Sequence, residues 1–210
     1  MRQPMTEASR ARLLAGLGLL VLAALVASGV APYDRGTWLL EVAPALIAAP
    51  VLWATWRRYP LTTLLYALIA LHMLVLMLGG AYTYARVPLG FWLQDALHLG
   101  RNPYDKIGHF MQGLVPAMVA REVLLQRGYL SSRGMAAFLS MCVAMAISAV
   151  YELIEWGVAL AAGSGATDFL GTQGDPWDTQ SDMFFALIGA MVAVTVLLRW
   201  HDREMAAMRY

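Results

Sequence analysis

Apolar residues fall in six long blocks separated by polar connections: Leu13–Val30, Trp38–Trp56, Leu61–Ala81, Ile107–Leu125, Met135–Val158 and Met183–Trp200. Each block has about the 20 residues that an α-helix needs to cross a hydrocarbon layer of ~30 Å. No heptad pattern, internal repeat or low-complexity tail is present. The pattern predicts an all-α fold: a polytopic membrane helix bundle of six transmembrane helices, forming a single transmembrane domain over residues 1–210. Arg2, Arg10 and Arg12 precede the first block and small residues close it at Ala27-Ser28-Gly29, as in a signal peptide. Its apolar core exceeds the usual ~7–15 residues, so an uncleaved helix is expected. Pro44 and Pro50 in the second block and Pro116 in the fourth predict bends. A further short helix is predicted at Phe91–Leu99, between the third and fourth blocks.

Composition sharpens this picture. The chain is 60% hydrophobic and 14% charged, against about 25% charged for a soluble domain. With the amino terminus inside, Arg2, Arg10, Arg12, Arg57, Arg58, Arg121, Arg127, Arg133, Arg199, Arg203 and Arg209 lie on the inner side, 11 of the 15 basic residues. Arg35, Arg86, Arg101 and Lys106 lie outside. This asymmetry places both termini in the cytoplasm. A net charge of +1 and the lack of a basic aromatic groove give no nucleic-acid partner. Cys142 is the single cysteine, which excludes an internal disulfide and a cysteine-type zinc site. No oligomeric state follows from the sequence.

The topology sorts the polar residues by depth. Asp105 and His109 stand at the outer end of the fourth block, one turn apart. Glu152 and Glu155 end the fifth. Asp175, Asp178 and Asp182 lead into the sixth at helical spacing. His72 lies at middle to outer depth in the third, and Asp168 lies in the long outer loop before the sixth. Ionisable groups in spans cost about 2.5–3.5 kcal/mol each and face a cavity or a partner. Gathered at one level, the carboxylates require a positive companion: Arg101 and Lys106, shared protons, or a divalent cation. The donor set of Asp105, His109, Glu152, Asp178 and Asp182 suits magnesium, manganese, calcium or zinc. Each piece also has a purely structural reading. Asp178 and Asp182 can serve the helix start, Asp105 with His109 can form an interfacial turn, Glu152 and Glu155 can pair with Arg101 or Lys106, and His72 can be a hydrogen-bonded core residue. Arg121 and Glu122 read as an interfacial pair at the inner end, and Tyr82 and Tyr84 as part of an aromatic belt.

At His72, Gly80-Ala81-Tyr82-Thr83-Tyr84-Ala85, Arg101-Asn102-Pro103-Tyr104-Asp105-Lys106-Ile107-Gly108-His109-Phe110, Tyr151–Trp156 and Asp175–Asp182 the chain resembles the YjdF family of bacterial inner-membrane proteins. The resemblance runs from about His72 to the end of the sixth block. It implies a multi-pass protein of the bacterial inner (plasma) membrane and carries no reaction with it. More distantly, Asp105, Lys106, His109, Phe110, Glu152 and Asp182 are similar to VanZ-like proteins, which implies a link to glycopeptide tolerance and the cell envelope. The sequence departs from that pattern where glutamine follows the glutamate and arginine precedes the aspartate; here Glu155 and Asp178 stand nearby.

Three functions from different classes fit these residues. The first is an outward-facing pocket that binds or processes a lipid-linked envelope substrate. There Asp105, His109, Glu152, Asp178 and Asp182 hold a divalent cation, Glu155 is the general base with His109 beside it, and His72, Tyr82, Arg101, Lys106 and Asp175 complete the pocket. The second is a proton-coupled small-solute transporter relaying through His72, Glu152 and Glu155, against which the missing inverted repeat counts. The third is a non-enzymatic envelope scaffold.

Overall fold

The computed structural model describes residues 6–162 and 172–208; Arg2, Asp168 and Arg209 lie outside them. Among the described residues every regular element is helical: α1 (Glu7–Val30), α2 (Arg35–Thr55), α3 (Thr63–Tyr82), α4 (Pro88–Leu97), α5 (Tyr104–Gln126), α6 (Arg133–Ala162), α7 (Asp178–Thr195) and α8 (Leu198–Ala207). Thr6, Asp34 and Thr62 start the first three by accepting the N–H of Ser9, Thr37 and Leu65, which satisfies donors that a helix start leaves orphaned. The Thr37 N–H also holds the Asp34 carboxyl below its ordinary range. Pro44, Pro50 and Pro116 are accommodated within continuous helices.

By length and hydropathy α1, α2, α3 and α6 can each cross a membrane, and α7 with α8 adds a fifth span if that bent pair is counted as one. α5 holds Asp105, Lys106, Arg121 and Glu122, and all four are buried. It sits at the centre, packed against α3, α6 and α7. Its polarity is turned inward, where partners meet it, while α1 has no buried residue and lies at the periphery. The α5–α7 contact depends on two glycines. A Cβ at Gly113 would collide with the Ala186 backbone, and one at Gly189 with the Phe110 carbonyl. Small residues let helix backbones approach closely inside a membrane protein.

Two expected elements change their bounds. The short helix begins at Pro88, earlier than Phe91, because proline suits the first helical turn; it ends at Leu97, since His98 takes a left-handed φ of 53°. The block Met183–Trp200 is not one straight span. α7 starts at Asp178 and stops at Thr195, and α8 leaves at a bend of 53°. The bend turns His201 and Met205 into the bundle, where both are buried.

The reading of Arg121 and Glu122 as an interfacial pair is corrected here. Both are fully buried, as is His201, and they bond to other groups rather than to each other. Arg121 donates to His201 Nδ1 at 3.0 Å and to Asp202 Oδ1 at 2.6 Å. His201 Nε2–H in turn donates to Glu122 Oε2 at 2.7 Å. Glu122 also accepts from the Thr62 N–H and hydroxyl, each at 2.7 Å, and from Gln126 at 2.8 Å. Arg133 closes the network on Asp202 Oδ2 at 2.5 Å. This clasp ties α3, α5, α6 and α8 together at the end of α5 remote from Tyr104.

Candidate functional site

The other end of α5 is built around Asn102. Its Oδ1 accepts the Tyr104 N–H at 3.0 Å and its Nδ2 donates to the Val87 carbonyl at 3.0 Å. Gln173 pairs with the Asn102 backbone in both directions, at 3.1 and 2.9 Å, and Arg101 donates to the Thr172 carbonyl at 2.7 Å. The approach to α7 is thereby fastened over the start of α5. Four-residue spacing then brings Asp105 and His109 to one face of α5, and Asp178 and Asp182 to the facing side of α7.

Lys106 stands among the acids. Its Nζ is 2.6 Å from Asp182 Oδ1, 2.9 Å from Asp178 Oδ1 and 3.4 Å from Asp105 Oδ2. Arg101 bonds Asp178 and lies 3.2 Å from Asp105 Oδ2 and 3.7 Å from Asp175 Oδ2. Partial burial opposes the Arg101 charge, but Asp105, then Asp178 and Asp175, outweigh it and push its pKa above the ordinary value. Asp175 is the outermost member, and its Oδ1 accepts the Trp177 N–H at 2.9 Å.

His109 lies one turn deeper. Its Nδ1 is 3.1 Å from Gln112 Oε1, within hydrogen-bond distance. Its Nε2 is 3.6 Å from Asp182 Oδ1, and Nδ1 is 3.8 Å from Glu152 Oε1. Donor atoms of His109, Glu152 and Asp182 all lie within 4.8 Å of one another, as do those of Asp105, Asp178 and Asp182. The two groups differ in kind. The aspartate triplet is occupied by Lys106 and Arg101. In the other, Glu152 Oε1 is buried with no hydrogen-bond partner among the described residues.

A chamber of about 150 Å³ opens beside His109 between α2, α3, α5, α6 and α7, with His72 and Glu155 in its walls. His72 Nε2 is buried and has no partner among the described residues. Of the further pocket residues expected from sequence, Arg101, Lys106 and Asp175 join the aspartate cluster rather than the chamber wall, and Tyr82 is brought to neither; it is 42% exposed at the surface. Tyr84 takes the place instead, buried and lining the chamber. Positive φ values at Thr83 and Tyr84, 55° and 49°, turn the chain inward. Gly79 and Gly108 leave room for the Tyr84 ring, which a Cβ at either position would strike. The aromatic-belt reading of Tyr84 is thus corrected.

Sequence reasoning also missed Glu41, Gln112 and Tyr151. All three line the chamber, and the Tyr151 hydroxyl donates to Glu41 Oε2 at 3.3 Å. The signal for Glu41 was present: an acid inside the second apolar block, as anomalous there as Glu152 in the fifth. Gln112 and Tyr151 carry no comparable signal, since neutral polar residues are common in spans.

Helices of this length and apolarity, wrapped around inward-facing charges, define a polytopic membrane protein with a polar interior. Over residues 13–203 the sequence matches the family described as "Predicted membrane protein (DUF2238)", and the chain belongs to that family. It is 61% identical over 181 residues to inner membrane protein YjdF of Escherichia coli (strain K12), covering 86% of this chain and 87% of that protein. The resemblance carried by the His72, Arg101–Phe110, Tyr151–Trp156 and Asp175–Asp182 segments is therefore one of family, and the chain is an inner-membrane protein. The more distant likeness to VanZ-like proteins has no support in these matches. No solved structure matches the chain.

Proposed function

We propose that the chain crosses the membrane six times with both termini in the cytoplasm, and that the chamber faces the extracytoplasmic side. There it binds the polar end of a lipid-linked envelope substrate and processes it by cation-assisted hydrolysis. The excess of arginine on the inner connections supports the orientation, and the inward-turned charges of α5 support counting it as a span.

The observation that carries this reading is the grouping of His109, Glu152 and Asp182 with a buried Glu152 oxygen that lacks a partner. An ion with ligands at about 2.1–2.4 Å holds neighbouring donors about 3.0–3.4 Å apart. The 3.6 Å between His109 Nε2 and Asp182 Oδ1 is a small side-chain rotation from that. One nitrogen and two carboxylates suit magnesium, manganese, calcium or zinc. When bound, the ion supplies Lewis acidity and an acidified water. Gln112 orients His109. Asp105 and Asp178, expected from sequence to be ligands, hold Lys106 and Arg101 beside the site, and Asp182, whose Oδ1 is 2.6 Å from Lys106 Nζ, would have to release it to take the ion. Glu155, three residues beyond Glu152 and in the chamber wall, would take the part of general base once it has given up its own proton.

The test is metal analysis of the purified protein. Wild type should retain a divalent ion through gel filtration, and His109→Ala or Glu152→Ala should lower its content about tenfold or more. Absence of an ion from wild type overturns cation assistance and leaves the proton-relay reading, which the unpartnered His72 Nε2 favours.

A further inference from the structure

The chamber has a second polar corner, formed by Glu41 and Tyr151. α2 packs on α3, and α6 packs on α5 and α7, but α2 and α6 do not pack along each other. The chamber lies between them, with Pro44 in one wall and Ile147 in the other. Ile147 is 41% exposed, so this wall is continuous with the lipid-facing surface. Among the described residues, a single hydrogen bond joins α2 to α6, from Tyr151 to Glu41 at 3.3 Å. That is long for a hydroxyl on a carboxylate, where about 2.7 Å is usual. The seam is thus an opening toward the bilayer crossed by one weak bond.

Among the described residues no cation lines this corner. No lysine or arginine lines the chamber, because Lys106 and Arg101 are engaged with Asp105, Asp178 and Asp182. Glu41 is only 6% exposed, and Tyr151 is its one hydrogen-bond partner among the described residues. His72 Nε2, buried without a partner, faces the same space. A buried carboxyl group keeps its proton or takes a cation with good hydrogen-bond geometry. A primary ammonium has three donors; the Glu41 carboxyl and the Tyr151 hydroxyl stand together as acceptors, and His72 lines the same chamber. A chamber of about 150 Å³ takes a small amine head and not a glycan.

We propose that Glu41, with Tyr151 and His72, recognises the primary ammonium group of an amphiphile that enters from the bilayer between α2 and α6. This rests on the reading of the chamber as an amphiphile site and names the chemical class of the head.

The experiment uses the full chain in phosphatidylcholine nanodiscs with two photoactivatable probes of the same chain length, a diazirine fatty amine and the matching fatty alcohol. The amine should label the peptides bearing Pro44 and Ile147 about tenfold more than the alcohol, a difference of about 1.4 kcal/mol in affinity. Glu41→Gln, isosteric and uncharged, should abolish that excess, and dodecylamine should compete it away in wild type. Equal labelling by the two probes, or an excess that survives in Glu41→Gln, overturns the proposal. Amine preference in a protein that holds no divalent ion overturns cation assistance alone. Bound ion without amine preference overturns the ammonium site alone.

Discussion

Lys106 donates to Asp178 and Asp182 and lies 3.4 Å from Asp105 Oδ2, and Arg101 takes the outer edge of the same cluster. Such a group is stable only as a whole, because removing one partner leaves the others buried and uncompensated. Lys106→Met should destabilise the protein by about 3–5 kcal/mol, read as a fall in thermal unfolding temperature in detergent. Adding Asp182→Asn should recover part of the loss, since the two changes share one interaction. An unchanged melting temperature in the single variant would mean that solvent screens the cluster. At this scale much of the site was legible. Asp105, His109, Glu152, Asp178 and Asp182 are each anomalous in an apolar setting. Which of them meet a lysine and which are left for a ligand was not legible, because that depends on side-chain direction across helices.

The elements show how these residues are held. α5 carries a polar cluster at each end, and its close crossing with α7 over Gly113 and Gly189 keeps the two helices in register. At the far end, α8 is fixed by the Arg121–His201–Glu122 chain and by Asp202. Burial raises the Asp202 pKa, but Arg121 and then Arg133 outweigh it, so the carboxyl stays below its ordinary value of 3.8. A depressed carboxyl contributes stability above the unfolded value and loses it as pH falls through the folded one. Hydrogen exchange of the α8 amides should therefore quicken on acidification below the ordinary carboxyl range. Asp202→Asn should exchange faster at neutral pH and show a smaller acid step. An acid step of the same size in that variant would place the titrating group elsewhere.

For the whole molecule, the proposed six-span arrangement makes a labelling prediction. In a Cys142→Ser background, cysteine at Gly100, before α5, should react with a membrane-impermeant maleimide in cells with a permeabilised outer membrane. Cysteine at Ser131, between α5 and α6, should react only after the inner membrane is broken. The reverse pattern would invert the orientation, put the chamber on the cytoplasmic side and remove the envelope substrate from consideration.

The membrane class, the approximate helices and the convergence of acids and histidine at one depth were all written in the order of residues. Long apolar blocks, basic connections and misplaced charges are one-dimensional signals, and a bilayer acts on them along a single axis. Depth is therefore readable from sequence. Azimuth is not: the pairing of Lys106 with the aspartates, the inward turn of Tyr84, the burial of Arg121 and Glu122, and the meeting of Glu41 with Tyr151 depend on how each helix is rotated and which neighbours it packs against. Those contacts join residues far apart in the chain, and the close packing of α5 with α3, α6 and α7 decided them.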